Sequence, residues 1–277
     1  MASIDLLSAA RAFDQVAEDF DARFGAWLSV AAQRRAVRAA LAQSFPVGAR
    51  LIEIGGGTGE DAIWLAERGR EVLMTDASPA MVRVAEAKFA GRAPLAATVA
   101  PAEAFERLAA GRKAAAEPLF DGAYSNFAAL NCVTDLRPFA RGLAELVKPE
   151  APVLLVLFGA LCPGEVVVEA LRGRPGNMFR RLSRRNVPAQ LRGQAFEVRY
   201  HGAAQLRRAM APWFKVGGRR GLGVFVPPSA AEPWISRHPR LLDMLEALDR
   251  VVSRPLAPLG DHVLYRFVRT QVEAPPA

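Results

Sequence analysis

Short apolar runs and amphipathic segments alternate along most of the chain. The apolar runs predict strands at residues 51–54, 72–74, 95–99, 120–126 and 153–158. The last of these is nearly continuous, as in a strand buried on both faces of a parallel sheet. Between the runs, apolar residues recur at helical spacing, as at Leu136, Phe139, Leu143 and Leu146. Strands that alternate with helices in this way predict an α/β fold with a parallel sheet.

The pattern changes on both sides of this alternation. Residues 3–43 have helical periodicity, and Pro46 and Gly48 end it before the first strand. After residue 200 the spacing predicts a helix at 203–210, a strand at 213–226 with a bulge or turn at Gly217 and Gly218, a helix after Pro228 and a last strand at 262–269. A chain of 277 residues that is 51% hydrophobic is long enough to bury a large core.

We therefore expect one domain, residues 1–277, with a core whose sequence is interrupted by two insertions. Its predicted parts are an N-terminal helical region (1–45), a core (46–160), a basic insertion (161–200), late strands (201–226 and 261–270) and a second helical insertion (227–260).

The most informative stretch is Leu51–Asp76, where a strand runs into a glycine-rich turn and then a helix. Its spacing is E-x-G-x-G-x-G, from Glu53 to Gly59. A dinucleotide fingerprint needs a sixth-position glycine, but Glu60 stands there. A carboxylate as close as Glu53 would repel a pyrophosphate and suits a ligand with an ammonium group. Asp76 ends the next apolar run, where a carboxylate can take the hydroxyls of a ribose.

This stretch resembles motif I and the following acidic strand end of the class I S-adenosylmethionine-dependent methyltransferases. The resemblance implies a Rossmann-like seven-stranded sheet with helices on both faces, a final antiparallel strand, and insertions near the acceptor site. It also implies S-adenosylmethionine as cofactor. By the same resemblance, Glu53 orients the amino-acid end of the cofactor, Gly55 and Gly57 flank its methionine moiety, and Asp76 holds its ribose.

Other cofactor contacts follow from the resemblance. The further positions expected to bind the cofactor are Phe20, Gly56, Gly59, Ala77, Met81, Ala102, Glu103, Asn126 and Phe127. Met81 could pack on the adenine or belong to the core, and Pro101 stands where many relatives have an acidic residue, which leaves Glu103 or the backbone for the adenine amino group. The segment with Phe13, Phe20 and Phe24 is either a lid over the cofactor or an ordinary amphipathic helix.

The acceptor is expected beyond the fourth strand. Asn126, Phe127 and Asn131 occupy the segment that resembles motif IV, which faces the reacting groups in this superfamily. We predict Asn131, Arg199 and Tyr200 as acceptor contacts and His201 as the base, if the reaction needs one. His262 lies in a predicted strand and His238 in a connection, so we expect a structural role for the first and a surface position for the second. No metal-binding motif is present in the sequence.

The charge of the chain leaves the acceptor open. The formal net charge is +8 and the pI is about 10.3, but a GC-rich genome would also favour arginine over lysine. Arginines concentrate between Cys162 and Tyr200, either as a solvated face or to meet an anionic acceptor, a lipid-bearing surface or RNA. Our first hypothesis is methylation of a small molecule such as a quinone, lipid or secondary metabolite. The alternatives are an RNA methyltransferase, with RNA as partner, and a non-catalytic cofactor-binding protein.

The two cysteines and the N-terminus suggest a compartment. Cys132 and Cys162 are too few for a disulfide framework and suit a reducing environment. The N-terminal residues show no signal-peptide pattern, and the longest apolar run, Val153–Leu161, is too short for a membrane span. We expect a cytoplasmic, bacterial protein.

Overall fold

The computed structural model describes residues 8–183 and 185–272. Residues 3–7 of the predicted N-terminal helical region and Arg184 of the basic insertion lie outside the described residues.

Helices and strands alternate through the first half of the chain, as the apolar pattern predicts. The helices are α1 (Ser8–Asp14), α2 (Phe20–Phe24), α3 (Leu28–Ser44), α4 (Glu60–Ala66), α5 (Pro79–Phe89), α6 (Phe105–Ala114), α7 (Leu136–Leu146), α8 (Pro163–Leu171), α9 (Ala203–Met210) and α10 (Pro239–Val252). The strands are β1 (Arg50–Ile54), β2 (Glu71–Asp76), β3 (Leu95–Val99), β4 (Gly122–Ser125), β5 (Pro152–Phe158), β6 (Val187–Leu191), β7 (Gln194–Val198), β8 (Phe214–Leu222) and β9 (His262–Arg269).

Seven of these strands form one mixed sheet with the order β3-β2-β1-β4-β5-β9-β8. The five strands from β1 to β5 are parallel, whereas β9 runs antiparallel to β5 and to β8. This is the sheet that the resemblance implies, so the predicted fold is confirmed. Because β9 runs antiparallel, its first residue lies at the edge where the parallel strands end. His262 is paired there with Phe158, the last residue of β5.

The core lies on both faces of the sheet, as expected for a layered α/β fold. One buried cluster contains Phe105 and Phe139 from α6 and α7, and the other contains Leu41 and Phe89 from α3 and α5. Full burial of a side chain of this size stabilises the fold by about 1.5–3 kcal/mol. The two clusters fix the strand ends at the carboxyl edge of the sheet.

The regions outside the alternating core differ in detail from the predictions. The N-terminal region is divided into α1, α2 and α3 instead of one continuous periodic segment. The basic insertion contains α8 and a two-stranded hairpin, β6–β7, neither of which the apolar pattern predicts. The predicted bulge in β8 is confirmed, because the pairing register shifts between Val216 and Gly218. Within residues 8–183 and 185–272, no helix has both the length and the apolar composition to cross a bilayer.

Candidate cofactor and acceptor site

A cavity of about 480 Å³ lies at the carboxyl edge of the sheet. At one end it is lined by the glycine turn after β1 and by Asp76 at the end of β2. At the other end it is lined by Phe158 at the end of β5 and by His262 at the start of β9. The cavity therefore joins the predicted cofactor site to a second group of side chains.

The glycine turn is open toward the cavity at one position and tightly packed at another. Gly55 has φ +66°, and a Cβ there would lie 2.2 Å from the Cβ of Ala129. Gly57 has φ +58°, and a Cβ there would meet no protein atom within 4 Å. The turn can adopt this path because glycine tolerates positive φ. The free space beside Gly57 lets a ligand approach the backbone.

Glu53 carries a buried acceptor without a partner. The residue is 2% exposed, and its Oε2 has no hydrogen-bond donor among the described residues. Burial, followed by the charge of Asp61, raises the pKa of Glu53 well above its usual range. A cationic group placed beside this oxygen would supply the missing donor and favour the ionised form. The ammonium group of a bound amino acid fits this requirement.

Asp76 is held in place by the backbone around it. Its Oδ2 accepts a hydrogen bond from Gly57 N at 2.9 Å, and its Oδ1 accepts one from Ser78 N at 2.8 Å. Burial raises the pKa of Asp76, although these backbone donors oppose the shift. Each carboxylate oxygen retains a lone pair for a hydroxyl group. Together with Glu53 and the open face of Gly57, this geometry fits an amino acid joined to a ribonucleoside.

Helices α1 and α2 cover the nucleoside end of the cavity. Phe13, Phe20 and Phe24 all line it, and Phe13 and Phe20 belong to a cluster that contains Met81. The acidic residues beside these phenylalanines anchor the cover. Asp14 accepts a hydrogen bond from Ser78 Oγ at 2.6 Å, and Asp21 accepts one from Thr58 Oγ1 at 2.6 Å. The arrangement agrees with the lid interpretation of this segment.

The hairpin β6–β7 completes this cover from the other side. Its Phe196 ring lies 5.9 Å from the ring of Phe13, measured between centroids, and both rings line the cavity. Arg192 in the hairpin turn forms an ion pair of 2.6 Å with Asp19. Part of the basic insertion therefore closes over the same end of the cavity as the N-terminal helices.

The segment after β4 is strained where it lines the cavity. Phe127 and Ala128 have φ values of +48° and +61°, which non-glycine residues rarely adopt. Asn126 helps to hold this turn, since its Nδ2 donates to Asp61 Oδ2 at 2.7 Å and its Oδ1 accepts from Phe127 N. The strained turn directs Phe127 toward the acceptor end, where its ring lies edge-on to His262.

Asn131 lines the cavity, but its side chain has structural partners. Its Nδ2 donates to the Arg199 carbonyl at 2.6 Å, and its Oδ1 accepts from Phe158 N at 3.0 Å. Asn131 thus connects β5 to the chain that follows the hairpin. This connection brings Tyr200 next to Phe158, with 5.7 Å between ring centroids.

A buried polar network surrounds His262 at the acceptor end. Gln33 of α3 donates through Nε2 to Asp261 Oδ2 at 3.0 Å, so its Oε1 is the atom that faces His262 Nδ1 at 2.8 Å. Nδ1 therefore carries the proton, and the lone pair of the neutral ring lies on Nε2. No described residue hydrogen-bonds that Nε2. His262 lines the cavity with this nitrogen available.

Asp261 is kept ionised in this network. Burial would raise the pKa of Asp261, but His262, Arg181 and Gln33 outweigh burial and hold it well below its usual range. The Arg181 guanidinium lies 2.7 Å from Asp261 Oδ1 and also pairs with Glu165 of α8. The basic insertion is thereby connected to the start of β9.

Most of the residues predicted to form the site line this cavity. They are Phe20, Glu53, Gly55, Gly56, Gly57, Asp76, Ala77, Met81, Ala102, Glu103, Asn126, Phe127, Asn131 and Tyr200. Gly59, Arg199 and His201 are not among the lining residues. Gly59 precedes α4 with φ +81°, and a Cβ there would lie 2.6 Å from the Phe89 ring, so its role in the fold is to permit that packing.

His201 does not line the cavity. Its Nε2 lies 2.8 Å from the Val133 carbonyl oxygen, and burial lowers the pKa of the ring. Its assignment as a base stays a prediction without a contact to the cavity. Three further residues line the cavity although the sequence did not indicate them as site residues: Gln33, Asp261 and His262, the last of which was predicted to be structural. The position of His262 could have been predicted from the sequence. It is the first residue of an antiparallel last strand, and the first residue of such a strand lies at the carboxyl edge of the sheet.

Comparisons with known proteins agree with this geometry. Residues 51–150 match the model of a family described as a methyltransferase domain. A structure of an S-adenosylmethionine dependent methyltransferase from Mesorhizobium loti is 20% identical, with a TM-score of 0.52 and coverage of 83% of this chain and 96% of that one. No protein in the comparison with curated sequences matches this chain.

Two further solved structures share the fold. The CcbJ methyltransferase from Streptomyces caelestis is 14% identical, with a TM-score of 0.53 and coverage of 86% of this chain and 89% of that one. A TehB-like S-adenosylmethionine-dependent methyltransferase from Corynebacterium glutamicum is 14% identical, with a TM-score of 0.53 and coverage of 92% and 98%. At these identities the likeness is one of fold.

The sheet order and the glycine turn define a Rossmann-like protein with the methyltransferase arrangement of strands. Residues 51–150 match a methyltransferase domain, and solved structures of S-adenosylmethionine-dependent methyltransferases share the fold. The domain match indicates a methyltransferase enzyme.

Proposed function

We propose that the protein methylates a small, largely apolar acceptor through a hydroxyl or amino group, and that His262 takes the proton of that group. One observation carries the proposal. A single cavity joins the glycine turn at Gly57 to a histidine whose Nε2 has no partner among the described residues.

Aromatic side chains support an apolar acceptor with a planar part. Phe127, Phe158 and Tyr200 line the acceptor end of the cavity. The Phe158 ring stacks on His262 with 4.9 Å between centroids and an angle of 27° between the ring planes. Apolar walls with a few convergent polar groups are typical of small-molecule sites. Quinols, phenolic metabolites and lipid-derived phenols satisfy this description.

The orientation of His262 supports its role as a base. Gln33 Oε1 accepts a hydrogen bond from His262 Nδ1–H. The lone pair on Nε2 is therefore free to take a proton from the molecule that is methylated. The ionised Asp261, 3.3 Å from Nδ1, would stabilise the imidazolium that forms. We propose His262 instead of His201 for this role, because His201 Nε2 is engaged with a backbone carbonyl.

The other residues of the site bind the methyl donor and position it. When bound, S-adenosylmethionine supplies an electrophilic methyl group. Glu53 would hold its ammonium group, Asp76 its ribose, and Glu103 and Met81 would lie at its adenine end. Phe13, Phe20 and Phe196 would exclude water from the nucleoside end. Alignment of the reacting groups lowers the barrier, because the bound reactants meet in an effectively unimolecular step.

RNA as the acceptor has less support. Several arginines of the basic insertion have carboxylate partners within the protein, since Arg181 and Arg180 pair with Glu165 and Arg192 pairs with Asp19. These side chains stabilise the insertion, which leaves fewer of them to bind phosphates. The proposal also includes the cytoplasmic compartment, which the free thiols of Cys132 and Cys162 support.

A screen of acceptors tests the proposal. The purified protein is incubated with S-adenosylmethionine and a panel of phenols, quinols, amines and short RNAs, and release of S-adenosylhomocysteine is measured. We expect release with a phenol or quinol. With that acceptor, His262→Ala should lower kcat by about a hundred- to ten-thousandfold and leave the Kd for S-adenosylmethionine unchanged.

Chemical rescue separates the role in proton transfer from a role in packing. Added imidazole should restore part of the activity of His262→Ala, and His201→Ala is the matched control, with kcat close to that of the unaltered protein. Methylation of RNA alone, or a large loss in His201→Ala with none in His262→Ala, would contradict the proposal.

A further inference from the structure

Helix α8 has the reverse of the burial pattern of an ordinary surface helix, because its acidic side chains are buried and two of its large apolar side chains are exposed. Its two glutamates, Glu165 and Glu169, are 3% and 5% exposed. Its large apolar side chains Val167 and Leu171 are 56% and 84% exposed. A helix packed on a soluble domain normally buries its apolar stripe and solvates its charges. The reversed pattern indicates that something other than water covers the outer side of α8.

The buried glutamates hold the following turns against the helix. Glu165 Oε1 accepts from Arg180 Nε at 2.7 Å, and Glu165 Oε2 accepts from Arg181 Nε at 2.7 Å. Glu169 accepts from Asn177 Nδ2 at 3.0 Å. These contacts fix residues 177–181 beside α8, so this part of the chain is packed in a defined position. Breaking such a buried pair by removing one partner is costly.

The turns that are fixed in this way add to the apolar exposure. Phe179 and Leu182 are both 56% exposed and flank the inward-facing Arg181. Val167, Leu171, Phe179 and Leu182 together are called the α8 apolar surface. Scattered single apolar side chains need no explanation, but exposed large residues gathered in one short segment mark an interaction site.

Arginines accompany the α8 apolar surface. Arg174 and Arg185 are exposed, and neither forms an ion pair with the rest of the chain as far as the structure describes it. Arg172 is also exposed and donates to the Ala230 carbonyl at 2.6 Å. Apolar side chains among free arginines match the surface of an anionic membrane, where the headgroups meet the guanidinium groups and the acyl region takes the apolar groups.

The same segment borders the cavity. Arg180, which follows Phe179, lines it, as does Ser229, which lies next to Ala230 in the turn that α8 contacts. A surface that meets a bilayer here would bring lipid close to the acceptor end of the cavity.

We propose that the α8 apolar surface and its arginines dock the protein on the surface of an anionic membrane. A second copy of the chain is disfavoured as the occupant, because it would bring like-charged arginines together. RNA is disfavoured because only its bases could contact the apolar side chains. The inference goes beyond the proposed reaction, since docking does not depend on which group is methylated.

Vesicle binding tests the inference on the full chain. Cosedimentation is measured with vesicles of phosphatidylcholine mixed with phosphatidylglycerol and with vesicles of phosphatidylcholine alone. We expect binding to the mixed vesicles that weakens with added salt. Val167→Asp combined with Leu171→Asp should weaken binding by about tenfold or more. Arg174→Gln combined with Arg185→Gln should weaken it by about fivefold for each arginine at low salt.

Two matched controls check for non-specific effects. Val47→Asp combined with Leu119→Asp places two charges on apolar side chains that are 74% and 40% exposed, outside the α8 apolar surface. Arg207→Gln with Arg208→Gln makes the same change in net charge on α9. Both controls should bind vesicles like the unaltered protein, and all variants should keep their thermal unfolding midpoint and their Kd for S-adenosylmethionine.

Several results would overturn the inference. These are no binding to mixed vesicles, an equal loss in the controls, a dimer in sedimentation that Leu171→Asp dissociates while vesicles are not bound, or binding to RNA in place of vesicles. A lost affinity for S-adenosylmethionine with vesicle binding intact would instead count against the proposed reaction.

Discussion

Gln33 and His262 are 229 residues apart in the chain, yet Gln33 Oε1 lies 2.8 Å from His262 Nδ1. This contact connects α3, which lies before the nucleotide-binding core, to the last strand of the sheet. It fixes both the orientation and the tautomer of the histidine at the acceptor end of the cavity.

Substitution of Gln33 tests this relationship. In Gln33→Leu the imidazole loses its orienting acceptor, so we expect kcat to fall by about threefold to tenfold, equivalent to one hydrogen bond. The Kd for S-adenosylmethionine should not change, because Gln33 lies away from the glycine turn. Gln43→Leu, on the exposed side of the same helix, is the control. A loss of cofactor affinity in Gln33→Leu would mean that the cavity has been misassigned.

Asp76 provides a direct test of the nucleoside end. Asp76→Asn removes the charged acceptor for the ribose hydroxyls, and we expect calorimetry to show about a tenfold to hundredfold weaker binding of S-adenosylmethionine. Asp135→Asn makes the same change in charge at the N-cap of α7, outside the cavity, and should bind normally. Equal affinities for the unaltered protein and Asp76→Asn would refute the assignment of the ribose site.

Glu53 links cofactor binding to stability. The folded-state pKa of Glu53 is raised, so the folded protein holds a proton that the unfolded chain releases near pH 4 to 5. Stability is therefore lost as the pH rises from about 4.3 through the raised pKa. We expect apo Glu53→Gln to be more stable than the unaltered protein at alkaline pH, with the difference closing as the pH falls.

The same variant should bind S-adenosylmethionine poorly, because the ammonium group loses its carboxylate. Urea unfolding across pH measures the first effect, and calorimetry measures the second. Glu71→Gln, an exposed acid on the neighbouring strand, should change stability by less than about 0.5 kcal/mol at any pH. A destabilised Glu53→Gln at alkaline pH would show that the carboxylate has a partner in the folded protein.

Arg181 holds two buried carboxylates together. Arg181→Met leaves Glu165 and Asp261 without their shared cation, and we expect a loss of about 3–5 kcal/mol in the free energy of unfolding. Arg35→Met breaks the more exposed pair with Glu246 and should cost no more than about 1 kcal/mol. Urea denaturation compares the two. Similar losses in both variants would contradict the importance of the buried network.

The alternating core was predictable because the sequence features that determine its strands and turns lie within a few residues of one another. The strand of Leu51–Ile54, the spacing of the glycines and Asp76 at the end of β2 follow one another within a short stretch. Their apolar pattern and turn residues act over a few positions, so the sequence shows them directly. The cofactor end of the cavity follows from the same stretch.

The acceptor end was less predictable because it depends on contacts between distant segments. Gln33 and Asp261 have nothing in their local sequence that points to His262, and the register of β9 on β5 decides where they meet. The burial pattern of α8 was not predictable either. Glu165 is buried by pairing with Arg180 and Arg181, and Glu169 accepts a hydrogen bond from Asn177, which a rule that places charges outside cannot anticipate.

Two segments that lie before and after the alternating core in the sequence meet over one end of the cavity, where the rings of Phe13 and Phe196 are 5.9 Å apart. We expect entry of a fresh donor and departure of the spent one to require these rings to separate. Where that separation is slower than methyl transfer, the first catalytic cycle is faster than those that follow.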